Sequence, residues 1–356
     1  MHKIAVLGGD GTGPEVVAEA LKVLDAASKA CGFKYETTDF DFGGDRYLRT
    51  NEVLPDSAAD DLRKFDAILL GAIGHPDVKP GILEKGILLR LRFELDLYIN
   101  LRPIKLFDER LCPLKGKKAE DIDMVFIREN TEDAYVGAHG FTHKGQPSEV
   151  ATQTLVYTRA GVERSIRYAF ELARTRNQKK KVTLIDKANA VRAHDLWTRT
   201  FADVAREYPD IAQDHAYVDA ACMWMIKNPE WFDVAVTTNM FGDILTDLGA
   251  VLQGGLGIAA SANIHPGKLA LFEPIHGSAP KYAGQNTASP VAAIMAGSML
   301  LDYLGLKEAA QAVEGTVVSL LRSGRIKGVA SGLHKCSEIG DLVAGELRTA
   351  VAGAKR

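Results

Sequence analysis

Features that would mark a secreted or membrane-bound protein are scarce in this sequence. Among 356 residues there are only four cysteines, Cys31, Cys112, Cys222 and Cys336, and no Cys-x-x-Cys pair. This wide spacing favours reduced thiols over a disulfide framework or a zinc site. No apolar run reaches the roughly 18 residues of a transmembrane helix, and the start shows no signal-peptide pattern. We therefore expect a cytoplasmic protein without a membrane partner.

An excess of charge of either sign is also missing. The 43 basic and 46 acidic residues give a formal charge of −3, and no basic block dominates any region. A nucleic-acid partner is therefore not expected. The apolar content of 46% and the charged content of 25% are those of a globular protein. The length is sufficient for about two domains.

Short apolar runs alternate with longer segments of helical periodicity. Residues 3–7, 65–70, 124–127, 181–185 and 232–237 are predicted strands, and residues 13–30, 159–174, 193–208 and 290–304 are predicted helices. Strands separated by helices predict an α/β fold with substantial parallel character. Segment 137–154 is polar and weakly periodic, which is typical of a surface loop or of an arm that pairs with another subunit.

A glycine-rich turn, GGDGTGPE at residues 8–15, joins the first predicted strand to the first helix. A Rossmann dinucleotide fingerprint needs a glycine where Pro14 stands, and no acidic ribose partner is evident after a second strand. Pro14 suits the first turn of a helix. We therefore interpret this segment as a tight turn, not as a Rossmann phosphate site.

Carboxylates follow one predicted strand in the segment NMFGDILTD. Asp243 and Asp247 lie four residues apart, so on a helix they would face the same way. Two such carboxylates repel unless a cation lies between them, and oxygen ligands suit Mg²⁺ or Mn²⁺. Helix capping by aspartate is the alternative interpretation. Asp219, before another helix, offers a third carboxylate.

Arginines at the ends of apolar segments can grip a carboxylate through two parallel donors. Arg92 is expected on a leucine-rich helix, Arg102 at the start of a strand, and Arg128 just after one. Each could equally be a surface or salt-bridging residue. Lys187 follows another strand, and Tyr135 lies beyond Arg128. A lysine and a tyrosine can act as general base and acid.

The segment EPIHGSAPKYAG at residues 273–284 is dense in glycine, proline, serine and histidine. Such a composition predicts a shaped loop and not a regular element. Loops of this kind can bind phosphates through backbone N–H groups. A purely structural turn is the alternative.

Taken together, these segments resemble the isopropylmalate/isocitrate dehydrogenase family, the β-decarboxylating dehydrogenases. The resemblance runs nearly end to end and includes GGDGTGPEV, LRFELDLYINLRP, IRENTEDAY, DKAN, YVDA, NMFGDILTDL and EPIHGSAPKYAG. It implies an α/β, two-domain, non-Rossmann fold. Residues 1–98 and 250–356 would form a discontinuous cofactor-binding domain. Residues 99–249 would form a substrate and dimerisation domain, with 137–154 as an arm of a homodimer.

The resemblance also implies a reaction, the metal-dependent oxidative decarboxylation of a 2-hydroxy diacid by NAD(P)⁺. It implies Lys187 as the base that takes the hydroxyl proton and Tyr135 as the acid that protonates the resulting enolate. Active sites would be shared in the dimer, with Lys187, Asn189 and Asp219 contributed by the neighbouring subunit. The implied substrate-binding residues are Arg92, Arg102, Arg128 and Asn189, and the implied metal ligands are Asp219, Asp243 and Asp247.

The substrate is expected to meet the helix that carries Arg92. Isocitrate enzymes of the family have a serine and an asparagine there, where this sequence has Gly86 and Leu88, and homoisocitrate enzymes tend to have an arginine in place of Leu89. The Leu88–Leu89 pair suits an isopropyl group, since a few buried methylenes are worth roughly 1–3 kcal/mol. We therefore expect 3-isopropylmalate. Tartrate or D-malate, and isocitrate or homoisocitrate, are the alternatives.

The expected cofactor is NADP, with NAD as the alternative. NAD-specific members usually have Asp-Ile after HGSAP, whereas this sequence has Lys281-Tyr282, as in NADP-dependent isocitrate dehydrogenases. An ammonium attracts a 2′-phosphate but cannot accept hydrogen bonds from ribose hydroxyls. The resemblance implies cofactor contacts from Ile73, His276, Gly277, Ser278, Ala279, Lys281, Tyr282, Ser289, Arg322 and Arg325.

Two departures from the family pattern bear on the site. Asp133 replaces a usual glycine before Tyr135, and Ser289 replaces a usual adenine-contacting asparagine. A hypothesis of another class is a non-catalytic regulatory subunit, which should have lost catalytic or metal-binding residues. Those residues are all present, which favours an active enzyme.

Overall fold

The computed structural model describes the backbone of residues 1–354 and the side chains of residues 1–348. The chain forms two compact units. The first unit comprises Met1–Leu97, Pro103–Ile122 and the chain from Ala250 onward, and the second comprises Tyr98–Arg102 and Asp123–Gly249. None of the helices within the described residues is long and apolar enough to cross a membrane.

The strands are short and mostly buried. In chain order they are β1 His2–Gly9, β2 Tyr35–Asp39, β3 Ala67–Ala72, β4 Ile99–Lys105, β5 Asp123–Glu129, β6 His139–Thr142, β7 Val150–Gln153, β8 Lys181–Asp186, β9 Ala212–Tyr217, β10 Val234–Thr237, β11 Ala260–Ile264 and β12 Ala270–Pro274.

The α-helices lie between these strands and beyond the last of them. They are α1 Gly13–Cys31, α2 Gly44–Thr50, α3 Ala58–Leu62, α4 Arg90–Glu94, α5 Arg159–Arg176, α6 Asp195–Ala205, α7 Val218–Lys227, α8 Asn239–Leu252, α9 Val291–Tyr303, α10 Lys307–Arg322 and α11 Cys336–Ala354.

In the first unit, β1 pairs in parallel with both β2 and β3. β12 pairs in parallel with β3 and antiparallel with β11. All six residues of β3 are buried, which is the continuous apolar pattern of a strand covered on both faces. Helix α1 packs against α9 and α11, so the two ends of the chain share one core.

In the second unit, the parallel strands β5, β10, β8 and β9 are neighbours in that order. Helices α5 and α6 pack on each other, and α5 covers β5 and β10. Strands β6 and β7 form a separate antiparallel hairpin. Because these strands pair, segment 137–154 is a β-hairpin and not an irregular loop. Its residues are almost all exposed, including Phe141 and Val150.

Most predicted elements are present with ends shifted by a few residues, but some expectations were wrong. Arg102 lies in the middle of β4 and not at its start. The four cysteines, by contrast, are free thiols, three of them partly exposed and that of Cys336 buried. Segment Pro103–Ile122, which the sequence grouped with the middle of the chain, belongs to the first unit. The reason is bonding to the C-terminal part, since the Phe107 carbonyl accepts from Arg322 and the Lys105 N–H donates to Gln253.

The turn between β1 and α1 is closely packed backbone. A Cβ atom added at Gly13 would lie 2.3 Å from the Gly8 carbonyl oxygen and 2.7 Å from the Ala72 nitrogen. Both neighbours are main-chain atoms of the sheet, so neither can move without disturbing strand pairing. Only glycine therefore fits at position 13, the first residue of α1.

We expect Gly13→Ala to lower the free energy of unfolding by about 1–3 kcal/mol, the usual cost of an extra methyl group in a packed core. Gly315→Ala in α10 is the matched control, because a Cβ there would meet no atom within 4 Å. The control should be neutral or stabilising by up to about 1 kcal/mol, since alanine is the better helix former. Denaturant titrations measure both, and equal stability of the two variants would contradict the packing argument.

Candidate active site

The beginning of α8 carries two carboxylates on one side of the helix. Asp243 and Asp247 are one turn apart, and each places an Oδ1 atom 3.5 Å from a guanidinium nitrogen of Arg102. Both side chains are partly exposed, at 42% and 62%. They are therefore open to a ligand while an arginine approaches them from the protein side.

Two buried arginines face Asp243, and each is fixed by neutral partners. The Nε of Arg102 donates to Asn100 at 2.7 Å, and its Nη1 donates to Thr246 at 2.6 Å. The Nε of Arg128 donates to Asn239 at 2.9 Å, and its Nη1 donates to Asp243. These bonds hold the guanidinium planes in place, as a bidentate carboxylate site requires.

The closeness of Arg128 to α8 depends on a glycine. A Cβ at Gly242 would lie 2.5 Å from Cγ and 2.6 Å from Cβ of Arg128. The arginine side chain therefore lies directly along the helix, which a larger residue at position 242 would prevent.

Tyr135 reaches the same carboxylate from a short 3₁₀ turn, Ala134–Val136. Its hydroxyl donates to Oδ2 of Asp243 at 3.0 Å, and its ring lies 5.6 Å from the Arg128 guanidinium carbon. Burial raises the pKa of Tyr135, and the nearby negative charge of Asp243 adds to that increase. The phenol is therefore protonated at neutral pH and available as a proton donor.

Lys187 and Asp219 form a separate pair. The Lys187 ammonium lies 2.8 Å from Oδ1 of Asp219, and this hydrogen bond lowers the pKa of the exposed Asp219 carboxyl. Lys187 directly follows β8, and Asn189 is exposed in the turn behind it. Among the described residues of one chain, no three His, Cys, Asp or Glu side chains form a metal-binding group, so Asp219 does not join Asp243 and Asp247.

The chemistry of Asp243 and Asp247 nevertheless fits a hard divalent cation. Burial raises the pKa of Asp247, Arg102 opposes that increase, and the charge of Asp243 adds to it. A Mg²⁺ or Mn²⁺ ion would relieve the repulsion between the two carboxylates, and oxygen ligands are those that such ions prefer. Two ligands from this helix leave further positions for a third carboxylate and a substrate.

In the first unit, the segment before α4 is a π-helical turn, Glu84–Leu89, and not the regular helix expected from sequence. Such turns are rare and are often found at functional sites. Leu88 and Leu89 are both partly exposed, and Leu88 packs against the core of this unit. Arg92 is 11% exposed and lies 3.5 Å from Glu273, which accepts a hydrogen bond from Asn263.

A cavity of about 310 Å³ in the first unit brings together several expected cofactor residues. The Nε2 atom of His276 is buried without a hydrogen-bond partner among the described residues, which leaves a polar group for a ligand. Ala279 has left-handed backbone, and Ser278 binds Thr12 through its carbonyl. The expected residues that line the cavity are His276, Ala279, Tyr282 and Ser289, and its other walls include Thr12, Gly255, Leu256, Gly257 and Ala330.

The remaining expected cofactor residues lie at or outside its margins. Lys281 is exposed, with its ammonium 4.6 Å from the centre of the Tyr282 ring. Gly277 is exposed, and Ile73 is buried just after β3. Arg322 and Arg325 do not line this cavity. Arg322 donates to the Phe107 carbonyl at 2.9 Å, and Arg325 pairs with Glu346 at 2.5 Å.

Sequence reasoning missed several buried polar residues that support the site. Asn100, Thr246 and Asn239 hold the two arginines but show no signal as single residues. Two acidic residues in IRENTED are also buried and hydrogen-bonded. Glu132 accepts from Thr158 at the start of α5, and burial raises the pKa of Glu129 to about 7. Their sequence signal was the density of acids directly after a buried strand.

Comparison with known proteins identifies the family of this chain. The family model described as isocitrate/isopropylmalate dehydrogenase matches residues 3–343. A protein of Thermobifida fusca named 3-isopropylmalate dehydrogenase is 48% identical over 345 residues, covering 96% of each chain. One of Frankia casuarinae with the same name is 50% identical over 331 residues, covering 92% of this chain and 95% of its own.

Solved structures are similar over the whole chain. The isocitrate dehydrogenase of Methylococcus capsulatus has a TM-score of 0.88 at 37% identity, covering 98% of this chain and all of its own. A β-decarboxylating dehydrogenase of Thermococcus kodakarensis has a TM-score of 0.79 at 30% identity, covering all of this chain and 98% of its own.

The chain belongs to the isocitrate/isopropylmalate dehydrogenase family. It is therefore an oxidoreductase with the fold of that family, and membership implies a divalent metal ion and NAD(P) as cofactors.

Proposed function

We propose that this enzyme oxidises and decarboxylates 3-isopropylmalate, with NADP⁺ as hydride acceptor and Mg²⁺ or Mn²⁺ as metal. The observation that carries this proposal is the convergence of Arg102, Arg128 and Tyr135 on Asp243. Two fixed cations, a neutral phenol and two open carboxylates suit a substrate that carries negative charge and binds a metal. The curated relatives named 3-isopropylmalate dehydrogenase support the same substrate.

The residues divide the reaction between them. Arg102 and Arg128 bind and orient the substrate carboxylates, and Asp243 and Asp247, with Asp219, hold the metal. When bound, the metal makes the substrate hydroxyl more acidic and draws electron density from the ketone. Lys187 takes the hydroxyl proton, and a bound nicotinamide cofactor would supply the acceptor for the hydride from C2. The β-carboxylate departs as CO₂, and Tyr135 gives its proton to the carbon that carried it.

The choice of 3-isopropylmalate as the substrate rests on Leu88 and Leu89. Leu88 and Leu89 on the π-helical turn offer a partly exposed apolar surface, and Arg90 beside them donates to the Leu54 carbonyl and to Glu94. An isopropyl group gains from burial there, whereas the third carboxylate of isocitrate or homoisocitrate would lose its hydration without a partner. Tartrate and D-malate lack the branched alkyl group that a leucine pair suits.

The first experiment is steady-state reduction of NADP⁺ and NAD⁺ with Mg²⁺ or Mn²⁺, against 3-isopropylmalate, isocitrate, homoisocitrate, D-malate and tartrate. We expect kcat/KM for 3-isopropylmalate to exceed the others by about tenfold or more, the scale of apolar discrimination in a pocket. A preference for isocitrate or D-malate would contradict the role of the leucine pair. Absence of turnover with all five acids would favour a non-catalytic regulatory subunit.

The preference for NADP is supported by Lys281 and Tyr282. Tyr282 lines the cavity with His276, and the Lys281 ammonium lies beside its ring, so a positive charge is available at the cavity margin. A 2′-phosphate would gain from that charge. The Arg322 and Arg325 side chains have protein partners here, so Lys281 and Tyr282 carry this part of the proposal.

We expect the double substitution Lys281→Asp and Tyr282→Ile to reverse the cofactor preference. The carboxylate repels a 2′-phosphate and accepts hydrogen bonds from ribose hydroxyls, so the NADP⁺/NAD⁺ ratio of kcat/KM should fall by about 10²-fold or more. Lys115→Asp changes the charge equally on an exposed loop and should leave that ratio unaltered. An unchanged ratio in the double variant would contradict the assignment.

We also propose that the enzyme is a cytoplasmic homodimer whose active sites are shared between the two subunits. Helix α7 exposes Met223 and Ile226, and α8 exposes Ile244 and Val251 at a helical spacing of seven. Exposed apolar patches of this kind are typical of interfaces. The exposed hairpin of β6 and β7 is suited to pair with another subunit. The separation of Lys187 and Asp219 from the Asp243–Asp247 pair within one chain supports completion by a partner.

Mixing two inactive variants tests this sharing. Lys187→Met and Tyr135→Phe should each lose about 10²-fold or more in kcat, because each removes a proton-transfer group. If the two residues meet across the interface, a mixed dimer has one intact site, and random mixing recovers about a quarter of wild-type activity by symmetry. Co-refolding of differently tagged variants measures this. Recovery no greater than that of each variant alone would show that the two residues act within one chain.

A further inference from the structure

One buried hydrogen-bond path in the second unit is not used by the reaction as described above. It consists of Asp133, Tyr157 and His194, which we call the Asp133 network. Asp133 and His194 are 0% and 1% exposed, and Tyr157 is partly buried. The Tyr157 hydroxyl lies 2.7 Å from Oδ1 of Asp133 and 3.0 Å from Nε2 of His194.

The direction of each hydrogen bond follows from the backbone of Lys187. Its N–H donates to Nδ1 of His194 at 2.9 Å, so that nitrogen carries a lone pair and no proton. The ring is therefore neutral, with its proton on Nε2. Burial lowers the pKa of His194, in agreement with a neutral ring. Nε2–H then donates to the Tyr157 oxygen, and the Tyr157 hydroxyl donates to Asp133.

Asp133 is itself held in a conformation that favours glycine, with φ of 73°. Its N–H donates to the Val156 carbonyl at 2.8 Å, which fixes the backbone there. Its carboxylate accepts from the N–H of Ala134 and from the N–H of Met240, both at 2.8 Å. A glycine would adopt this backbone without strain but would offer no carboxylate, so the side chain supplies what glycine cannot.

The network therefore bonds to three segments that carry functional residues. Ala134 begins the turn that holds Tyr135, and Met240 lies in the first turn of α8, which carries Asp243. Lys187 is at the other end, bonded through its backbone. The rings of Tyr157 and His194 also pack edge to face, 5.2 Å apart, so the path is stiff.

We propose that Asp133, Tyr157 and His194 are positioning residues that set the backbones of Lys187, Tyr135 and the start of α8 relative to one another. They do not touch substrate and transfer no proton in the reaction. Their effect is to keep the base, the acid and the metal-binding helix at fixed places on the subunit. This inference rests on the proposed function, because it takes Lys187 and Tyr135 as catalytic.

Two variants cut the path at different points. Tyr157→Phe keeps the ring packing and removes the hydroxyl, and Asp133→Gly keeps the backbone conformation and removes the carboxylate. With 3-isopropylmalate and NADP⁺, each should lower kcat by about tenfold to hundredfold, the cost of misplacing reacting groups. KM should change by less than about twofold, since the arginines that bind substrate are untouched. Tyr208→Phe removes a hydroxyl from a buried tyrosine near Glu171 and should leave kcat unchanged.

The double variant distinguishes positioning from general loss of stability. Because both substitutions interrupt the same path, the double variant should lose no more kcat than the more impaired single variant. Losses in kcat that add fully, or unchanged kcat in both single variants, would overturn the proposal. A wild-type enzyme without turnover would instead count against the proposed function.

A measurement independent of activity is the tautomer of His194, observed by nitrogen NMR of isotope-labelled histidine and assigned with His194→Asn. We expect a neutral ring protonated on Nε2 at neutral pH, because Nδ1 accepts from the Lys187 N–H. In Tyr157→Phe the Nε2 proton loses its acceptor, and its resonance should shift. A charged ring, or a proton on Nδ1, would overturn the network whatever the enzyme turns over.

Discussion

The carboxylate of Asp243 is the point on which the candidate site depends. Arg102 and Arg128 approach one of its oxygens, and the hydroxyl of Tyr135 donates to the other. These charge-assisted hydrogen bonds hold the carboxylate and its donors in fixed directions. The two arginines also donate to neutral amide and hydroxyl groups, which fix the guanidinium planes without adding negative charge. Rigidity and charge at this site therefore come from the same set of contacts.

Much of the fold follows from local patterns in the sequence. Strands β3, β8 and β10 are short, almost fully buried segments, and α1 begins at Gly13 and Pro14, just after the glycines that end the first strand. Asp243 and Asp247 were also predictable, because their spacing places them on one helix face. The partners of the two arginines could not be predicted from the sequence. Thr246 bonds to Arg102 from 144 positions away, and no local pattern records such a pairing. The π-helical turn at Leu88 was missed because its composition is that of an ordinary helix.

The departures from the family pattern have different physical meanings. Ser289 lines the cavity as a smaller polar group, and its hydroxyl bonds to the Gly257 carbonyl. Asp133 occupies a glycine-like backbone conformation. Its carboxylate accepts from three groups, on Ala134, Tyr157 and Met240, and its backbone N–H donates to the Val156 carbonyl. A residue in a strained backbone conformation persists when bonds to its surroundings fix that conformation. A residue with a glycine-like backbone conformation can thus add side-chain hydrogen bonds that glycine itself does not offer.

The division of the chain into units also constrains the order in which it can fold during synthesis. The second unit is almost continuous in sequence, so all of it is translated before the C-terminal third of the protein. Strand β3, by contrast, pairs with β12 through Ile68 and Leu271, and α1 packs on α11. The N-terminal strands must therefore wait, with apolar edges uncovered, until nearly the whole chain has been translated. During that interval the exposed strand edges have to be protected from aggregation. This requirement ends once the first unit has folded.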